Sequence, residues 1–245
     1  MEWCILGPLR VADNAGREIP IPAGRVRVVL TALLTRSNQV VSVDELGEVL
    51  WDGTPQPGAA RTVRVYVVRL RHALGPVAAA RIITQAPGYL CEAEADEVDV
   101  LRFEELCRRG RVAAREQAWV QATELLSAAL GLWRGQPLAD VPSDLLRSRE
   151  LPRFEQLHLQ AIEDHLDAEM HMGRHEHLIP RLSELTVSFP LREHLHAQLM
   201  RALARAGRRA EALSAYQHVR LLLKDRKSTR LNSSHSDSSR MPSSA

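Results

Sequence analysis

Arg61-Thr-Val-Arg-Val-Tyr-Val-Val-Arg-Leu-Arg-His-Ala-Leu74 is the stretch whose reading decides the fold. At 100° per residue, Val63, Val67, Leu70 and Leu74 fall on one narrow stripe, the spacing of a core-facing helix face. The opposite face carries Arg61, Arg64, Val65, Val68 and His72, flanked by Arg69 and Arg71, with Thr62 and Tyr66 at one edge. One side can therefore bury itself while the other offers cations, a hydroxyl, a phenol and two small apolar groups. Guanidinium forks suit phosphates and guanine edges, and small apolar groups suit thymine methyls. An ordinary solvated basic helix has the same pattern. What lies on either side of the helix separates the two readings.

Working outward towards the N-terminus, Asp52-Gly-Thr-Pro-Gln-Pro-Gly58 holds two prolines and two glycines and reads as a loop. Before it, Ser42-Val-Asp-Glu45 has the form of a capping box and opens a short helix through Leu46, Val49, Leu50 and Trp51. Gly24 to Arg36 reads as another helix, with Val26, Val29, Leu30, Leu33 and Leu34 as its apolar face. Residues 3–21 read as short strands around the turn Asp13-Asn-Ala-Gly16, and Pro20 and Pro22 confine the last of them to an edge. Towards the C-terminus the basic helix should stop at Gly75-Pro76. Ile82–Thr84 and Tyr89–Cys91, joined through Ala86-Pro87-Gly88, then make a hairpin. Strands, helix, helix, loop, basic helix, hairpin is the order of a winged helix-turn-helix. In that fold the third helix enters the major groove and the wing touches backbone or minor groove.

Net charge is only +2, but it is segregated. Residues 53–91 hold Arg61, Arg64, Arg69, Arg71 and Arg81 and no acid; residues 19–43 hold Arg25, Arg27 and Arg36 and no acid. A domain near neutrality can thus present one positive face. Arg25 and Arg27, near a helix start, are candidate phosphate contacts because helix N-termini favour anions. Three scattered cysteines form no CxxC pair and suit a reducing compartment. The N-terminus lacks the charge pattern of a signal peptide, and no apolar run approaches the roughly 20 residues that span a bilayer. The expectation is a cytoplasmic protein with no membrane segment.

From Val98 the composition shifts to helix. Val100, Phe103, Leu106 and Cys107 share one face, and Trp119, Ala122, Leu125, Leu126, Ala129 and Leu130 another. Trp133 to Pro142 reads as a structured loop, and Leu145 to about Met172 as one long helix with Pro152 near a break or first turn. Gly173 and Gly207 stand 34 residues apart, the tetratricopeptide period, and Ala210 to Tyr216 fits a second repeat helix. The fold class expected is an α+β winged helix-turn-helix domain over 1–97, followed by an all-α tetratricopeptide-like domain over 98–225. The serine-rich stretch 226–245 has no apolar period and is expected to be disordered and foreign to the fold.

Residues 1–97 resemble the DNA-binding domain of the OmpR/PhoB type. Leu50-Trp51, Arg61 to Arg71 and Pro87-Gly88-Tyr89 carry the resemblance. With residue 1 already in the first strand, no receiver domain and no phosphorylation switch of that type is expected. The second half resembles the bacterial transcriptional activation domain through Val98-Asp-Val-Leu-Arg-Phe103, Leu132 to Asp140 and Ala206 to Tyr216. The two in this order are similar to the Streptomyces antibiotic regulatory proteins, the SARP family, and to the first part of AfsR-type regulators. No P-loop occurs in these residues, so the ATPase region of the large members is not expected among them. The family pattern would continue in helices where the serine-rich tail begins, which makes the helical domain read as truncated.

The resemblance implies double-stranded promoter DNA as partner, direct repeats near the −35 region, self-association on DNA, and recruitment of RNA polymerase through its sigma and alpha subunits. Its implied targets are antibiotic or other secondary-metabolite genes. It also implies that the Trp51 indole lies near a phosphate, the alternative being a core tryptophan. Val68 stands where a polar reader is common in the PhoB type, and a thymine methyl is its natural counterpart. Tyr89 is either a hairpin core residue or a backbone contact. A repressor using the same DNA face, and a helical protein-interaction scaffold, are the rival readings. The cluster His165, His171, His175 and His177 invites a metal, but Gly173 breaks its one-face geometry and no acid–His pair accompanies it as in zinc sites. Asp164 and Asp167 read as a solvated helix face. No nucleophile elbow, HExxH or Cys/His pair at usable spacing occurs, so neither catalysis nor a cofactor is expected.

Overall fold

The computed structural model describes residues 1–236; residues 237–245, the end of the serine-rich tail, lie outside the described residues. The chain divides into two compact units, Met1–Ile162 and the remainder from Glu163.

In the first unit β1 (Glu2–Cys4) pairs antiparallel with β2 (Arg10–Ala12), Trp3 facing Val11. The third strand expected at Glu18–Ile21 is reduced to one bridge, Glu18 to Ala12, because Pro20 and Pro22 have no N–H to continue a ladder. The helices α1 (Arg25–Leu34), α2 (Val43–Leu50) and α3 (Ala59–Ala79) follow. Nearly every position of α1 is buried, including Val28 and Thr31 off the expected face, since α1 is enclosed on more than one side. Helix α2 begins as a half capping box. The Glu45 N–H donates to Ser42 Oγ at 3.1 Å, while the Glu45 carboxylate turns to Arg36 instead of returning to the cap. In α3 the stripe Val63, Val67, Leu70 and Leu74 lies in the core, each side chain contributing about 1.5–3 kcal/mol of burial. The helix axis breaks at Gly75 (φ 72°, ψ 172°), a conformation glycine reaches without strain, and Pro76 opens one further turn to Ala79.

The wing is β4 (Ile82–Gln85) and β5 (Gly88–Cys91), joined by β3 (Val41–Ser42) in the order β3-β5-β4, all antiparallel. A Cβ at Gly88 would lie 1.9 Å from the Val41 carbonyl oxygen, so only glycine admits this strand beside β3.

The helices α4 (Asp99–Arg115), α5 (Trp119–Leu130) and most of α6 (Asp144–His171) belong to the same unit as the winged helix. The backbone N–H groups of Ile5 and Leu6 donate to the Asp99 carboxylate at 2.9 and 2.8 Å. The N–H of Trp3 donates to the Glu97 carbonyl at 2.7 Å. Trp133, in the loop after α5, stacks on His158 (ring centroids 4.0 Å) and meets the Phe103 ring edge-on at 5.5 Å. Ser143 Oγ donates to the Val49 carbonyl at 2.6 Å, and Arg149 pairs with Glu48 at 2.8 Å. Asp52 Oδ1 accepts the Leu145 N–H at 3.0 Å, with Ser143 Oγ 3.1 Å away. The Leu145 amide holds the Asp52 carboxyl below its ordinary pKa, against a smaller opposing effect of burial, and the Ser143 hydroxyl adds to the lowering. Pro152 stands inside α6, eight residues after its start, and not at a break or in the first turn.

The second unit holds the end of α6, α7 (His175–Ser188), α8 (Glu193–Arg205) and α9 (Arg209–Ser236). Gly173 (φ 82°) and Gly207 (φ 79°) each follow a helix end and turn the chain into the next helix, which accounts for their 34-residue spacing. Glu163, buried, pairs with Arg192 at 2.9 Å, and its carbonyl accepts from Gln198 Nε2 at 2.8 Å. Helix α9 does not stop near Lys224 as expected but continues to Ser236, so residues 226–236 are helical. Neither glycine nor proline occurs between Arg209 and Ser236 to break it, and the serines there lower helix propensity without ending a helix.

Candidate nucleic-acid interface

Helix α3 enters from a left-handed Gly58 (φ 83°), which turns the proline-containing loop into the first helical turn. With the hydrophobic stripe locked in the core, the remaining side chains must face outward. Arg61, Arg64, Arg69 and His72 are exposed, and Thr62 and Tyr66 half-buried. Val65 and Val68 are 43% and 63% exposed, an unusual placement for valine that leaves their methyl groups open to a partner. The Arg69 guanidinium lies 5.6 Å from the Tyr66 ring centroid. Among the described residues Arg61 and Arg64 have neither an ion pair nor a hydrogen bond from the guanidinium, so their full donor sets are available.

Five other candidates, Arg71, Tyr89, Arg27, Arg25 and Trp51, have partners within the fold. Arg71 does not point freely outward: its Nη2 donates to the Ile82 carbonyl at 2.6 Å and to Thr84 Oγ1 at 2.9 Å, and its Nε to the same carbonyl at 3.2 Å. It also lies 5.8 Å from the Tyr89 ring. The residue fastens the wing to α3. Tyr89 is 7% exposed and pairs across the sheet with Val41 and Thr84, so it is a hairpin core residue and not a backbone contact. Arg27 forms an ion pair with Asp140 and donates to the Ile21 carbonyl at 3.2 Å, so its guanidinium is turned to partners within the fold and not left open for an anion as expected. Arg25 and Trp51 come together, the guanidinium 5.1 Å from the indole ring, with both side chains half-buried. Trp51 is thus packed against the core and partly open to solvent.

The surface therefore consists of the α3 face from Arg61 to His72, the Arg25–Trp51 pair, and the exposed wing tip Gln85-Ala86-Pro87. The wing tip is not among the residues expected from the sequence, and Tyr89 beside it takes the hairpin-core alternative. The signal was the Ala86-Pro87-Gly88 turn, whose apex side chains leave the sheet. No acid falls between residues 53 and 91, so nothing on α3 or the wing neutralises these cations locally. The arrangement can place guanidinium forks on phosphates or on guanine O6/N7, with valine methyls against thymine.

In the second unit the histidines do not converge. His165 is buried beside Glu169 (3.6 Å), and burial lowers its pKa; His177 is exposed. Among the described residues no group of three or more His, Cys, Asp or Glu is arranged to hold a metal ion. No helix among them is long and apolar enough to cross a membrane.

Two family models match the chain. "Transcriptional regulatory protein, C terminal" covers residues 19–90, and "Bacterial transcriptional activator domain" covers residues 98–233. The Regulatory protein DnrI of Streptomyces peucetius is 32% identical over 231 residues, spanning 91% of this chain and 85% of that protein. The Regulatory protein AfsR of Streptomyces griseus is 34% identical over 223 residues, 91% of this chain but only 22% of that protein. Among solved structures, Mycobacterium tuberculosis EmbR in complex with a low affinity phosphopeptide superposes with a TM-score of 0.84 at 31% identity, covering 91% of this chain and 60% of that one.

Proposed function

Because the chain belongs to the Streptomyces antibiotic regulatory protein (SARP) family of transcriptional regulators, we propose that it is a sequence-specific DNA-binding activator of secondary-metabolite genes. The observation that carries this reading is the outward face of α3. There Arg61 and Arg64, unpaired among the described residues, share a face with exposed Val65 and Val68 on a helix whose other side is locked in the core. Such a face fits a major groove, with Arg64, central on it, as the base reader. Arg61 and Arg69 serve phosphates, Arg25 and Trp51 the backbone beside them, and the wing tip the adjacent strand. Protomers side by side on direct repeats about 10–11 bp apart, one turn of the duplex, would stay on one face near a promoter's −35 region. There the winged helix and helical domain would engage the sigma and alpha subunits of RNA polymerase. The site of action is the nucleoid in the cytoplasm.

The test is selection of bound fragments from genomic DNA at physiological salt, comparing the wild-type chain with Arg64→Ala. Paired repeats one turn apart upstream of genes should be enriched. The variant should lose about 1–3 kcal/mol of affinity and relax its preference at one base position. Identical or absent motifs for both proteins would refute the assignment of α3 as the reading helix. A promoter–reporter fusion carrying the selected repeats then separates activation from repression.

A further inference from the structure

The second unit contains a cationic cavity that the DNA-binding reading does not use. The end of α6, the opening of α7 and the last turns of α8 border an open cavity of about 230 Å³ lined by Met170, His171, Gly173, His175, Arg201 and Arg205. No carboxylate lines it. The neighbouring acids on α6 are already engaged: Asp167 accepts from Arg201 (2.8 Å) and His194 (2.9 Å), and Glu169 takes Arg174 (3.3 Å). Arg205 is exposed and has no ion pair among the described residues, although it lies one helical turn from Arg201. Like charges at this spacing repel each other, and an anion between them relieves the repulsion. The Nδ1 of His175 is buried in the wall without a hydrogen-bond partner. Such an atom is costly unless something supplies the missing bond. Helix α7 starts beside it with no side-chain cap, adding the positive end of its dipole.

Two guanidiniums beside His171 and His175 repel a metal cation, so these two histidines are better read as part of an anion site. Arg201 shares only one of its five donors with Asp167, and a planar fork from each arginine matches a tetrahedral dianion better than a single carboxylate. Met170 supplies an apolar wall on which an organic residue can rest, which a free mineral ion would not need. We propose that this cavity binds a phosphomonoester, its phosphoryl oxygens held between Arg201 and Arg205 and its organic part against Met170. The ester can come from a phosphorylated side chain of a partner protein or from a small phosphorylated metabolite, and both present the same group.

The full chain would be titrated calorimetrically, at fixed ionic strength, with a phosphoserine peptide, its unphosphorylated form, glycerol 3-phosphate and inorganic phosphate. One ester per chain should bind saturably. Arg205→Ala should weaken it at least tenfold with an unchanged melting temperature, and Arg205→Lys should fall between. Tighter binding of the phosphopeptide assigns a protein source, and tighter binding of glycerol 3-phosphate a metabolite. Three results would overturn the proposal: no saturable binding of either ester, equal binding of the unphosphorylated peptide, or equal affinity in Arg205→Ala.

Discussion

Arg61, Arg64 and Arg71 are chemically identical and lie within three helical turns, yet they do different things. The difference is whether a backbone acceptor comes within reach. The Ile82 carbonyl takes both Nε and Nη2 of Arg71, whereas Arg61 and Arg64 meet no such group. Arg71→Ala should therefore act on stability. Hydrogen bonds to a charged donor contribute about 1.5–3 kcal/mol each when protected, and less at this half-exposed site. A loss of about 1–2 kcal/mol, or roughly 2–8 °C in melting temperature, is expected with the DNA motif unchanged. Lysine should not restore it, since the fork that spans Ile82 and Thr84 is lost. An unchanged melt with altered base preference would return Arg71 to the DNA-reading set. The helix period identified the buried stripe and the outward face, because both follow from one 100° step. It could not identify Arg71 as a tie to the wing, because that depends on the register of a hairpin eleven residues away. The partner of Arg27 is hidden for the same reason, and so is the choice between core and backbone for Tyr89: Asp140 and Val41 leave no mark near them in the chain.

At the scale of elements, periodicity located the long helices and turn chemistry located the hairpin, but β3 went unread because two residues cannot show an alternation. The joint between α2 and α6 was equally silent. Asp52, at the end of α2 in a left-handed conformation (φ 48°), receives the Leu145 amide and lies beside the Ser143 hydroxyl, which itself caps α6 through the Leu146 N–H at 3.2 Å. These bonds favour the charged carboxylate, so its folded-state pKa lies below the unfolded value near 3.9. A depressed carboxyl contributes stability that is complete above the unfolded value and is lost as pH falls through the folded one. Asp52→Asn keeps the backbone conformation and removes the charge. Its urea midpoint should lie below wild type at pH 7, and the gap should narrow as pH drops from 5 towards 3.5. A gap that stays constant over that range would mean that the charge of Asp52 does not stabilise the joint.

For the molecule as a whole, the composition changes at Val98, but the packing does not. A single core cluster runs from Trp3, Ile5 and Leu6 through Val63 and Leu70 to Val100, Phe103, Leu126, Val141 and Phe154, and the first compact unit closes only at Ile162. Contacts such as Ile5 to Asp99 join residues about ninety apart, a distance over which sequence periodicity carries no information. The winged helix thus borrows core from the helices that follow it. Cutting at residue 97 would uncover the Trp3, Ile5 and Leu6 side of the cluster and take away the carboxylate that accepts two backbone amides. Each large apolar side chain lost from the core represents about 1.5–3 kcal/mol of burial. Removing Val100, Phe103, Leu126 and Phe154 together therefore rivals the whole 5–15 kcal/mol that holds a typical domain folded. A fragment of residues 1–162 should melt in one cooperative transition. The fragment 1–97 should melt at least 10 °C lower, or show only a broad transition by circular dichroism. Equal melting temperatures would mean that the winged helix is self-sufficient and that α4 to α6 merely rest on it.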